Sequence, residues 1–73
     1  MYSTALRNVE RGKFREIGVY GKEVVITTES PSETTFSGVR HSIGRKQFDS
    51  HQEAVDAQVA MVQRLLKAGW KMA

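Results

Sequence analysis

Phe14 to Glu29, "FREIGVYGKEVVITTE", decides how the rest of the chain is read. Gly21-Lys22 lies between two apolar, β-branched runs, and glycine in the first position suits a two-residue type II′ turn. Folding the chain there sets Tyr20 opposite Glu23, Val19 opposite Val24 and Ile17 opposite Ile26. Side chains alternate faces along a strand. Ile17, Val19, Val24 and Ile26 therefore share one face, and Glu16, Gly18, Tyr20, Glu23, Val25 and Thr27 share the other. One register satisfies both strands, so residues 13–29 form a β-hairpin with one core face and one wet face. Phe14 is out of phase with Ile17, which predicts a strand start or a bulge near Arg15.

Downstream, "ESPSETT" (29–35) reads as a polar loop, because Pro31 has no N–H for a ladder and Ser, Glu and Thr favour local hydrogen bonds. Further strand structure is expected over 35–48, with Val39, His41 and Ile43 on its buried side and Arg40 and Ser42 on the other. Gly38 and Gly44 mark candidate bends. Upstream, "STALRNVE" reads as another strand whose alternation is too weak to assign faces.

A helix over about 51–68 has both ends marked. Ser50 and Glu53 form an S-x-x-E capping box, in which Ser50 accepts from the Glu53 N–H and Glu53 reaches back. Val55, Val59, Val62 and Leu66 make an apolar stripe, widened by Ala54, Met61 and Leu65. Gly69 suits the left-handed position after the helix, and Trp70 then packs back on Leu65. The expected fold over residues 1–73 is α+β: an antiparallel sheet of three or four strands with one C-terminal helix packed on one face.

Composition bounds the chemistry. In 73 residues there is no cysteine, so disulfides and thiolate metal sites are excluded. Two histidines do not make a zinc site. His41 reads as a partly buried structural residue, and His51 as a solvent-facing residue in the first helical position. No Gly-rich phosphate loop, paired carboxylates or nucleophile–base spacing appears, and the helix cap accounts for Ser50 and Glu53. No catalytic residue, metal or cofactor is expected. No apolar run approaches the roughly 20 residues of a membrane span. "MYSTALRNVERGK" lacks the apolar centre of a secretion signal, so a cytoplasmic protein is expected.

The net charge is +3. The excess of bases is concentrated in two segments: Arg7, Arg11, Lys13 and Arg15 against Glu10, and Arg40, Arg45 and Lys46 with no acid between Ser37 and Phe48. Brought together by the sheet, these would form a phosphate-binding patch; kept apart, the second set are edge charges that discourage strand pairing.

With this order of elements, the chain resembles the WGR domain, a small sheet-plus-helix module named for a Trp-Gly-Arg signature. "GKFREIGVYGKEVV" resembles the family's first hairpin. "FDSHQEAVDAQVAMVQRLLKAGW" resembles its closing strand and helix, with Phe48, Ser50, Glu53, Ala54, Gly69 and Trp70 in the matching places. Thr28-Glu29-Ser30 stands where the Trp-Gly-Arg would be. The same strand-to-helix junction is similar to that of AP2-type and integrase arm-binding domains. The resemblance implies nucleic-acid binding. The expected function is a small non-enzymatic domain binding double-stranded DNA, with Arg40, Arg45, Lys46, Arg11, Lys13 and Arg15 on phosphates and Tyr20 available to stack. The alternative is a protein-binding adaptor or inhibitor of the kind phages and mobile elements encode, using an edge strand or the 29–35 loop. Ala57 and Ala60 beside Arg64 offer a small-residue surface on which a homodimer could form.

Overall fold

A computed structural model describes residues 2–32 and 38–73. The order of elements is β1 (Tyr2–Asn8), β2 (Lys13–Tyr20), β3 (Glu23–Pro31), β4 (Val39–Gln47), α1 (His51–Lys67) and β5 (Lys71–Met72). All strand pairs are antiparallel, and they form one five-stranded sheet in the order β4-β3-β2-β1-β5. The helix lies across one face, so the architecture is the expected α+β, with a fifth strand.

The β2–β3 hairpin has the register read from the sequence: Tyr20 pairs with Glu23, Val19 with Val24 and Ile17 with Ile26. Gly21 has φ +66 and no described non-glycine residue has positive φ, the combination a type II′ turn requires. The bulge anticipated near Arg15 does not form. Phe14 pairs with Glu29 and Arg15 with Thr28 in unbroken register, and Phe14 simply belongs to the face away from the helix.

β1 lies beside β2 and places Leu6 in the core. The turn between them is held by Asn8, whose Oδ1 accepts from the Arg11 N–H at 3.1 Å. Gly12 follows at φ +64. The segment expected to loop at 29–31 instead continues β3 as far as Pro31, opposite Val39. The strand start expected at Thr35 lies outside the described residues.

In α1, Ser50 Oγ accepts from the Glu53 N–H at 3.1 Å, while the Glu53 carboxylate takes the Asp49 N–H rather than that of Ser50. At the other end, the Trp70 N–H bonds the Leu65 carbonyl and the Gly69 N–H bonds that of Leu66, with Gly69 at φ +100. This is a Schellman stop. It turns the chain so that Trp70 enters the core and Lys71–Met72 reach the edge of β1.

The core comprises Leu6, Ile17, Val19, Val24, Ala54, Val62 and Trp70, with Ile26, Phe48, Val55, Met61 and Leu65 packed against it. The helix is rotated relative to the expected stripe. Its buried line is Ala54, Gln58 and Val62, while Val59 and Leu66 are exposed. Gln58 is fully buried because its Nε2 donates to the Ile17 carbonyl at 3.1 Å, so a polar residue takes the central position on the sheet.

Candidate nucleic-acid interface

Strand parity assigns each predicted contact to a face. Facing the helix are Lys13 and Arg15 of β2 and Arg40, Ser42 and Lys46 of β4; facing away are Arg7, Tyr20, Val39, His41, Ile43 and Arg45. Val39, His41 and Ile43 were expected on the buried side of their strand. The alternation holds, but the face is the opposite one: every residue of β4 is exposed, and Ile43 is 63% accessible. The reason is that β4 is the sheet's outermost strand, and the helix packs on β2, β3 and β5.

The two basic segments also lie apart. Two strands separate β4 from β1, and acids stand between them on the open face. Arg45 Nη1 donates to Glu23 Oε1 at 3.0 Å, and His41 Nδ1 lies 3.5 Å from Glu29 Oε1. His41 is thus an exposed partner of a carboxylate and not a structural core residue. Lys46 sits 5.5 Å over the Phe48 ring, at the same end of the sheet as Arg45. His51, expected to face solvent, is exposed but bonds the Gly21 carbonyl through Nδ1, tying the helix start to the hairpin tip.

Tyr20 is at that same end. A Cβ placed on Gly18 would lie 2.8 Å from the Tyr20 ring, so the ring lies along β2 over the glycine. It is 44% exposed. With Val25, Thr27, Ile43, Glu23 and Arg45 it lines a shallow hollow on the open face.

A different set of bases does converge. The β1–β2 turn, the start of β4, the helix C-terminus and β5 all lie at the sheet end opposite the Gly21 turn. That end carries Arg7, Arg11, Lys13, Arg15, Arg40, Arg64, Lys67 and Lys71. Among the described residues its acids are Glu10 and Glu29. The other half holds Lys22, Arg45 and Lys46 against Glu16, Glu23, Asp49, Glu53 and Asp56. Charge is therefore polarised along the strands. Among the described residues, neither of the two ion pairs involves Lys or Arg of the basic end.

Local structure positions these bases. The Arg15 guanidinium lies 5.0 Å over the Trp70 ring, and its Nε donates to Thr28 Oγ1 at 3.1 Å. Arg15 and Arg64 border a cleft of about 220 Å³ floored by Ile17, Ile26, Met61 and Leu65. Lys71 and the Asn8–Glu10 turn line a second hollow. Arg64 and Lys67 lie in the last helical turn, where they also complement the macrodipole.

Of the residues named from the sequence, Arg11, Lys13, Arg15 and Arg40 lie at the basic end, and Arg45, Lys46 and Tyr20 lie at the other. Arg7, Arg64, Lys67 and Lys71 also lie at the basic end. The Schellman stop at Gly69 was the available signal for Lys71, because it returns the tail to the sheet end where the 8–13 turn lies.

No family model and no curated protein matches the sequence. Among solved structures, the fold is similar to a crystal structure of a Bacteroides fragilis protein determined as a structural-genomics target. The TM-score is 0.73 at 19% identity, over 99% of this chain and 19% of that one. Such a likeness concerns the fold alone. The chain spans about a fifth of the length of that protein. No helix among the described residues is long and apolar enough to cross a membrane.

Proposed function

We propose that the chain is a small, non-enzymatic, cytoplasmic nucleic-acid-binding module that grips the backbone of double-stranded DNA with the basic end of its sheet. The observation that carries this reading is the convergence of Arg7, Arg11, Lys13, Arg40, Arg64, Lys67 and Lys71 at one end, outside the ion pairs described. Bases of this kind release counterions from phosphate and supply sequence-independent affinity.

Duplex is favoured over single strand by where the aromatic residue lies. Single-strand binders set aromatic rings along their basic groove so that bases stack. Here Tyr20 is at the far end from the bases, and Trp70 is buried beneath Arg15. Phosphate contacts without stacking fit a duplex backbone. The order of elements, which resembles the WGR domain, supports the same reading.

The test is fluorescence anisotropy on a mixed-sequence duplex. A quadruple variant, Arg7→Ala/Arg11→Ala/Lys13→Ala/Lys71→Ala, should lose most of the affinity. Arg45→Ala/Lys46→Ala, at the other end, should keep it. Equal losses from both variants would place the contact elsewhere.

A further inference from the structure

The outer edge of β4 combines an open hydrogen-bonding ladder with one sign of charge. Phe48 N–H bonds the Lys22 carbonyl at 2.9 Å, which fixes the parity of the strand. Even-numbered residues of β4 turn their backbone groups towards β3, and His41, Ile43, Arg45 and Gln47 turn theirs outward. From His41 to Gln47 no described strand pairs with that edge, since β4 ends the sheet. Its side chains include Arg40, His41, Arg45 and Lys46 and no acid.

We propose that this edge accepts an extended acidic segment of a partner protein as a sixth strand. Strand addition uses main-chain hydrogen bonds for affinity and alternate side chains for selection. On the open face, an added strand would set side chains beside His41, Ile43 and Arg45; His41 and Arg45 already meet Glu29 and Glu23 of β3, so the selective contact there is apolar, on Ile43. Ile43 is exposed there and continues into the hollow lined by Tyr20 and Val25. On the helix side the strand would meet Arg40 and Lys46, which favour acids, with Gly44 leaving space between them.

A second copy of the chain is the wrong occupant. Full antiparallel overlap of two β4 strands, centred on Ile43, sets Arg40 opposite Lys46 at both ends of the overlap. Like charges directly opposite destabilise a pair. The edge therefore repels itself and attracts an acidic strand. It shares Arg40 alone with the basic end that carries the proposed DNA contact, and the inference does not depend on that reading.

The probe is a synthetic nine-residue peptide, Thr-Glu-Thr-Thr-Val-Thr-Thr-Glu-Thr, which in antiparallel register sets its valine beside Ile43 and its two acids beside Arg40 and Lys46, with the same peptide carrying Lys in place of Glu as control. Amide exchange measured by NMR should slow at His41, Ile43, Arg45 and Gln47 with the acidic peptide, which should bind at least about tenfold tighter than the control, a difference of roughly 1.4 kcal/mol. Ile43→Pro removes an outward N–H without touching the β3 ladder, a change edge strands tolerate. Circular dichroism should show it folded, and peptide binding should be lost. Equal binding of both peptides, no protection at the four amides, or full binding by folded Ile43→Pro would each overturn the proposal.

Discussion

Gln58 occupies the centre of the helix–sheet contact, and replacing it should stabilise the protein. Its Nε2 donates to the Ile17 carbonyl, but its Oε1 is buried with no partner among the described residues. The Ile17 carbonyl has another source of hydrogen bonding. Ala73 N–H bonds the Ala5 carbonyl, so odd residues of β1 face β5, and Thr4 exchanges its backbone bonds with Ile17. Losing the Gln58 donor therefore leaves no orphan. An unsatisfied buried acceptor costs about 1–3 kcal/mol, and a single neutral hydrogen bond contributes about 1 kcal/mol. Gln58→Met keeps the length and volume while burying a more apolar side chain. The balance favours the variant by roughly 1–2 kcal/mol. In a domain of this size each kcal/mol moves Tm by about 4–8 °C, so Tm should rise by roughly 5–15 °C. Urea and thermal unfolding, followed by the single tryptophan and by circular dichroism, read this directly. If Gln58→Met and Gln58→Leu both lost more than about 1 kcal/mol, the amide oxygen would have a partner in solution and the reasoning would fail.

Two further substitutions test how the helix is terminated. Gly69→Ala meets nothing within 4 Å but must adopt φ +100, so the cost is backbone strain alone, about 1–2 kcal/mol in denaturant unfolding. Ser50→Ala removes the acceptor for the Glu53 N–H and should cost about 1 kcal/mol by the same measurement, while Ser50→Asp should recover most of it.

What was legible in the sequence followed from local rules. The β2–β3 register came from one glycine turn and two apolar pairs, and both ends of the helix came from Ser50, Glu53 and Gly69. Two expectations went wrong because a neighbour outweighed a pattern. Counting apolar residues put Val59 and Leu66 in the buried stripe with Val55 and Val62, whereas Val59 and Leu66 are exposed and Gln58 is buried through its bond to a sheet carbonyl that no spacing reveals. Alternation on β4 paired Val39, His41 and Ile43 correctly. Which face meets the helix depends on register with β3, and the outermost strand escapes cover on both sides. β5 has two residues, too few for a periodic signal, and it forms because the Schellman turn delivers the tail to the edge of β1. The candidate interface was half visible for the same reason. The 7–15 bases were apparent as a cluster, but Lys71 joins them only through that turn, and Arg64 and Lys67 only through the packing of the helix on β2 and β3.

The salt dependence of duplex binding tests the central claim most directly. With Arg7, Arg11, Lys13, Arg40, Arg64, Lys67 and Lys71 on phosphates, log K against log[salt] should fall with a slope of about −6. The Arg7→Ala/Arg11→Ala/Lys13→Ala/Lys71→Ala variant should bring that slope to about −3, while Arg45→Ala/Lys46→Ala leaves it unchanged. A slope that is flat in the wild-type protein, or one that the quadruple substitution leaves unchanged, would contradict binding through this end of the sheet.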